Sequence, residues 1–207
     1  MLKFRASSLA EIMTNGKGEG LSAGAKTYVE RLAKEFVYGY DRVVTSKYMD
    51  KGLQVEDQSI DLLNSVLFTS YTKNTERKEN DWITGECDIF TGDQIIDIKS
   101  SWSLETFPCM SEQGVDSGYE WQLRAYMWLW DVDQAQIAYC LVSTPEHLIG
   151  YENRSIHIVD HITPELRVTF VDYKRDKSLE EKIVTKVTQA RSYFDEVVNK
   201  IAKQHER

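Results

Sequence analysis

Residues 85–101 read GECDIFTGDQIIDIKSS, and the order of acids, lysine and β-branched residues in this stretch sets the expected fold. The run Ile95, Ile96, Asp97, Ile98, Lys99 favours an extended strand, because β-branched side chains fit a pleated surface. Side chains alternate along a strand, so Asp97 and Lys99 project to one side while Ile96 and Ile98 project to the other, towards the core. Thr91-Gly92-Asp93 supplies a hairpin turn that folds a strand over Cys87 to Phe90 back beside Ile95 to Lys99 and brings Asp88 towards Asp97. Two carboxylates and one ammonium are then expected in one small volume.

That grouping has chemical consequences. Carboxylates gathered with too few cations raise each other's pKa unless something positive neutralises them. Oxygen-only ligands suit a hard divalent ion such as Mg²⁺, which takes one or two carboxylates and keeps several waters. Lys99 would then be free to position a water, assist its deprotonation, or stabilise charge developing on a phosphate. The same spacing also describes a surface hairpin with a weak acid–lysine ion pair. D-x-K is a short and common string, so spacing alone leaves both readings open.

Working outward, 207 residues with 42% apolar and 28% charged content predict one globular domain over residues 1–207. No run of eighteen apolar residues occurs, and Met1-Leu2-Lys3-Phe4-Arg5 lacks the apolar stretch of a signal peptide, so a cytoplasmic protein without a membrane partner is expected. Cys87, Cys109 and Cys140 are odd in number and lack C-x-x-C pairing, which argues against a disulfide framework and against a zinc or iron–sulfur site. His147, His157, His161 and His205 share no spacing that would make a His-metal site or a Ser-His-Asp triad. Asn15 to Gly20, NGKGEG, lacks the P-loop form, which argues against nucleoside triphosphate hydrolysis. A net charge of −8 is unusual for a DNA-binding protein, so any such role requires basic residues concentrated along one groove.

The remaining chain predicts alternating helices and strands. Lys3 to Met13 reads as a short amphipathic helix led in by Ser7 or Ser8; a hydroxyl-capped helix start beside Arg5 can hold a phosphate, and plain capping is the simpler reading of the same residues. Ser22 caps a helix through Val37, with Val29, Leu32, Ala33 and Phe36 on its apolar face. Lys51-Gly52-Leu53-Gln54-Val55-Glu56 leads into a second helix carrying Ser59, Leu62, Leu63 and Val66, where Glu56 by itself is a first-turn acid on the helix dipole. Thr69 to Asp81 mixes Lys73, Arg77 and Lys78 with aromatics and reads as a solvated connection. Tyr119 to Trp130 is a helix that places Gln122 and Tyr126 on one face. Strands are expected at Ala135 to Ser143, Ser155 to Val159 and Leu166 to Asp172, followed by a long helix to about Gln204 opened by the capping box Ser178 to Glu181. The fold class is α/β, a central mixed sheet flanked by helices.

Asp88 followed by Asp97-Ile98-Lys99 resembles the D-x(n)-(D/E)-x-K core of the PD-(D/E)xK nuclease superfamily. Arg5 to Ser8, Gly52 to Glu56, Gly85 to Lys99 and Gln122 to Tyr126 occur in the order found in phage recombination exonucleases of the lambda exonuclease and YqaJ type, so the resemblance covers most of the chain. It implies a restriction-endonuclease-like core and a Mg²⁺-dependent deoxyribonuclease, with Mn²⁺ able to substitute. It further implies 5′-to-3′ action on double-stranded ends in phage or prophage recombination. The metal would be held by Asp88, Asp97, the carbonyl of Ile98 and Glu56, with Asp88, Asp97, Lys99 and Glu56 as the catalytic set. Arg5 and Ser7 would contact a terminal 5′-phosphate, and Gln122 and Tyr126 would line the DNA site. Members of this type often assemble as homo-oligomeric rings and work with a single-strand annealing protein, which no residue pattern here encodes. A restriction-like or structure-specific endonuclease, and a catalytically inactive nucleic-acid-binding protein of this fold, are the alternatives.

Overall fold

The computed structural model of the protein describes residues 2–205. Its centre is a four-stranded mixed sheet in the order β4-β5-β6-β7, formed by β4 (Ile89–Phe90), β5 (Gln94–Ser100), β6 (Gln134–Cys140) and β7 (Val168–Lys174). The hairpin is the predicted one: β4 runs antiparallel to β5 with Ile89 opposite Ile96, and the Thr91 amide closes the turn onto the Gln94 carbonyl at 3.0 Å. Only Ile89 and Phe90 pair, however, so Cys87 and Asp88 lie just outside the strand. β5 and β6 are parallel, with Asp97 beside Ile137 and Lys99 beside Tyr139, and β6 and β7 are antiparallel.

A parallel neighbour demands a crossover, and α5 (Ser117–Trp130) supplies it. Its start is fixed by Asp116, whose carboxylate accepts from the amides of Gly118 and Tyr119 at 2.8 and 3.0 Å, satisfying two orphan donors of the first turn. α5 covers the face of the sheet that carries Ile95, Ile137 and Val171, joining α1 (Ala10–Met13), α2 (Ala23–Tyr38) and α7 (Lys177–His205) around the larger apolar core. On the opposite face α4 (Glu56–Leu67) packs Ile60, Leu62 and Leu63 with Ile96, Ile98 and Ala138. Both faces of β5 are therefore covered, and the side bearing Asp97 is interior as well. Three further short strands, β1 (Phe4–Arg5), β2 (Lys78–Glu79) and β3 (Ile83–Gly85), form a separate sheet in the order β1-β3-β2. It meets α5 closely: a Cβ on Gly85 would lie 2.7 Å from the Tyr126 ring, a gap that only glycine leaves open.

Several expected details differ. Ser7 and Ser8 sit inside a single 3-10 turn, Ala6–Ser8, and cap neither it nor α1; the chain leaves β1 directly into this turn, so neither serine reaches a cap position. Lys51 and Gly52 do not precede a helix but lie within α3 (Lys47–Gln54), which Ser46 caps through the Met49 amide. Residues 155–159 form no strand. The Asn153 side chain accepts from the Ser155 amide and hydroxyl at 3.0 and 2.9 Å, and this local turn at Arg154–Ile156 competes with extended pairing. Asp176, not Ser178, takes the capping position of α7, accepting from the Ser178 amide and hydroxyl at 2.9 and 2.7 Å. Phe36 is 69% exposed and meets Phe194 edge-on, with ring centroids 5.6 Å apart. The three cysteines are free thiols. Among the described residues no helix is long and apolar enough to cross a membrane.

Candidate active site

The strand alternation of β5 and the hairpin beside it deliver the acids and the lysine to one place. Asp97 is 1% exposed, and Lys99 Nζ lies 2.7 Å from its Oδ2. Asp88 reaches across from the hairpin, and its Oδ2 accepts the Ile98 amide at 2.6 Å. Asn74 holds the base of that reach, its amide donating to the Asp88 carbonyl at 2.7 Å and its side chain to the Cys87 carbonyl at 3.0 Å. α5 closes the group from above. Gln122 Nε2 donates to Asp97 Oδ1 at 3.2 Å and to Tyr126 Oη at 3.0 Å, while its Oε1 accepts from Lys99 at 3.4 Å. An ammonium only donates, so Lys99 fixes which end of the amide faces it. The Tyr119 ring, one turn before Gln122, lies 4.4 Å from the Lys99 ammonium, within cation–π range.

The electrostatics follow from that geometry. Burial pushes Asp88 up to about 7, with the neighbouring Asp97 charge adding to it and the Ile98 amide and Lys99 opposing, as expected for two carboxylates in one low-dielectric pocket. Burial alone would lower the Lys99 ammonium, but Asp97 beside it outweighs that effect and raises its pKa. Asp97 Oδ2 is buried and faces the Lys99 ammonium alone. Two carboxylates thus share one nearby cation, which leaves the pocket short of positive charge. The donor set of Asp88, Asp97 and the Ile98 carbonyl is oxygen-only and fits a hard divalent ion.

Glu56, the first residue of α4, opens onto the same cleft of about 730 Å³ as Asp88, Asp97, Lys99 and Gln122. It is paired with Lys73, and among the described residues no three His, Cys, Asp or Glu side chains converge tightly enough to enclose an ion on their own. Glu56 is thus placed near the carboxylate pair without joining it. Ser7 lines this cleft too, and also lines a smaller polar cavity of about 150 Å³ together with Arg5, Arg77 and Tyr126. Arg5 has no ion-pair partner among the described residues, whereas Arg77 donates to Glu86 at 3.1 Å. Tyr126 has its back to that cavity and its hydroxyl on Gln122, and burial raises its pKa.

All eight side chains singled out in the sequence, Arg5, Ser7, Glu56, Asp88, Asp97, Lys99, Gln122 and Tyr126, therefore line one cleft or the cavity adjoining it. Sequence reasoning passed over Tyr119, although it stands three residues before Gln122 on the same helical face. It also missed the cleft wall formed by Tyr48, Met49 and Leu53 of α3, which are 57%, 50% and 75% exposed.

No protein-family model matches the chain, and no curated protein matches it. Among solved structures, a phage related exonuclease from Haemophilus somnus 129PT is similar at a TM-score of 0.90 and 37% identity, over 97% of this chain and 96% of that one. An alkaline exonuclease (LHK-Exo) from Laribacter hongkongensis shares the fold at a TM-score of 0.71 and 15% identity, over 98% of this chain and 92% of that one. LHK-Exo in complex with dAMP is similar at a TM-score of 0.69 and 16% identity, over the same shares. Identity of 37% over nearly the full length of both chains shows the family: the chain belongs to the phage-related exonucleases of the lambda exonuclease and YqaJ type.

Proposed function

We propose that this exonuclease is divalent-metal-dependent and digests double-stranded DNA from its 5′ ends, in phage or prophage recombination. The observation that carries the reading is the position of Ser7, shared between the carboxylate cleft and the small cavity bearing Arg5 and Arg77. A terminal phosphate seated in the cavity would accept charge-assisted hydrogen bonds from the guanidinium of Arg5 and the hydroxyl of Ser7, leaving the next phosphodiester in the cleft beside Lys99.

Asp88, Asp97 and the carbonyl of Ile98 would hold the ion, Mg²⁺ or Mn²⁺, with Glu56 near it directly or through water. When bound, the ion supplies positive charge against the charge that develops on the phosphate. The chain's own groups do the rest. Asp97 and Gln122 hold the Lys99 ammonium in place, so it can orient the attacking water and donate to an oxygen gaining negative charge without reorganising. Tyr119 and Tyr126 close the side of the site against bulk water, which strengthens those interactions. Lys73 holds Glu56 back from the pair, and release of that contact would let the glutamate turn to the site.

The test compares linear duplexes carrying 5′-phosphate or 5′-hydroxyl ends with a covalently closed circle, each with Mg²⁺ and with a chelator. The expected result is faster digestion of phosphorylated ends, an intact circle, no product with chelator, and loss of the end preference in Arg5→Ala. Cleavage of the circle would instead assign an endonuclease, and equal rates on both ends would remove Arg5 and Ser7 from the substrate site.

A further inference from the structure

Among the described residues, Lys51 is a charged side chain enclosed by protein on all sides. It is 0% exposed, and its three ammonium hydrogens are matched by three carbonyls: Ser101 at 2.6 Å, Val142 at 2.8 Å and Trp102 at 3.1 Å. No carboxylate pairs with it among the described residues. These acceptors lie where the parallel strands end. Ser101 still donates to the Cys140 carbonyl at 2.9 Å, and beyond that step β5 and β6 part, leaving carbonyls that no strand satisfies. The Trp102 carbonyl is gripped again by the Thr144 hydroxyl at 2.8 Å. Burial lowers the Lys51 ammonium to about 8, so it stays charged at neutral pH.

An unpaired buried ammonium costs several kcal/mol, and an apolar residue of similar volume commonly does as well or better for stability. Placement accounts for its presence. Ser101 lies two residues after Lys99, at the end of the catalytic strand. On α3, Tyr48, Met49, Gly52 and Leu53 form a wall of the cleft. The Val55 amide returns to the Lys51 carbonyl at 3.0 Å, and Glu56 follows at once as the first residue of α4. One ammonium thus fastens the strand that carries Lys99 to the helix pair that carries Glu56.

We propose that Lys51 is a positioning residue for the exonuclease reaction, fixing the α3–α4 wall and Glu56 at the distance from Lys99 that the reaction needs. The inference rests on the cleft being the active site. Lys186 offers an internal control of like chemistry: it is 5% exposed and donates to the carbonyls of Glu19 and Gly20 at 3.0 and 2.9 Å, but lies on α7 and lines no part of the cleft.

The experiment compares Lys51→Met, Lys51→Gln and Lys186→Met as full-length protein. It measures thermal unfolding, duplex affinity in chelator, and kcat and KM on a 5′-phosphorylated linear duplex with Mg²⁺. Misplacement by about 1 Å can cost about a hundredfold in rate, so Lys51→Met is expected to lose roughly tenfold to a hundredfold in kcat. Duplex affinity and KM should stay within about threefold. Lys51→Gln, which keeps amide donors, should fall between, and Lys186→Met should keep its kcat. Wild-type kcat in Lys51→Met, or an equal kcat loss in Lys186→Met, overturns the proposal. So does failure of both Lys51 variants to fold cooperatively, which assigns the lysine to stability alone. Full activity in Lys99→Ala would instead overturn the cleft assignment, a result distinct from each of these.

Discussion

On one face of β5, Ile96 and Ile98 pack with Ile60 and Leu63 of α4; on the other, Asp97 and Lys99 meet Tyr119 and Gln122 of α5. Both faces are shielded from water, and the strand is the same. On the α4 side each buried aliphatic side chain stabilises the fold by about 1.5–3 kcal/mol. On the α5 side a helix covers charges, and the same shielding costs desolvation, only partly offset by Gln122 and Lys99. The face of Asp97 and Lys99 is therefore core in position and destabilising in composition. Stabilising and costly side chains alternate by residue parity along one strand.

That separation can be broken most decisively at Lys99. Lys99→Ala should lower the single-turnover rate by about a hundredfold or more, roughly 3 kcal/mol of transition-state stabilisation, while metal-free duplex binding and cooperative unfolding persist. A variant keeping more than half the wild-type rate would dissolve the distinction between the faces.

A smaller effect is expected from Asp88→Asn, read in stability rather than rate. Asp88 ionises near its ordinary value of 3.8 when unfolded but at about 7 in the fold, so the native state binds more protons between those values. Stability due to this group falls as pH rises from about 4 to 7, and the penalty is complete above 7. In chelator the asparagine variant should therefore match the wild type near pH 4 and exceed it in stability above pH 7. Denaturant unfolding at the two pH values checks this, and a variant less stable at both would show that the carboxylate is held for stability.

The least effect is expected across the strand at Ile96→Val, which should cost about 0.5–1.5 kcal/mol of stability with the rate per folded molecule unchanged. A parallel drop in single-turnover rate would mean the two faces are coupled through the strand.

The sheet hairpin was legible because its signals are local: alternation places Asp97 with Lys99, and Thr91-Gly92-Asp93 turns the chain. That Asp97 is buried was not legible, since it depends on α5 crossing over from 20 residues away in sequence. Alternation identifies two faces but not what covers each. Lys51 was opaque for the same reason, its three acceptors lying 50, 51 and 91 residues distant. Ser7, Ser8 and Ser178 carried capping signals that geometry one or two residues away overrode, and Arg154–Ile156 became a turn through an asparagine side chain whose competition with a strand leaves only a weak mark in composition.

The bond from the Ile98 amide to Asp88 also bears on how molecules of this protein meet one another. β4 pairs with β5 at only two positions, so the outer side of β5 would otherwise present a free backbone donor along an open strand edge, the kind of template on which foreign strands assemble. The Asp88 carboxylate occupies that donor in place of a neighbouring strand. Replacing it with a residue that cannot accept would uncover that border, which makes aggregation propensity a hidden constraint on this acid.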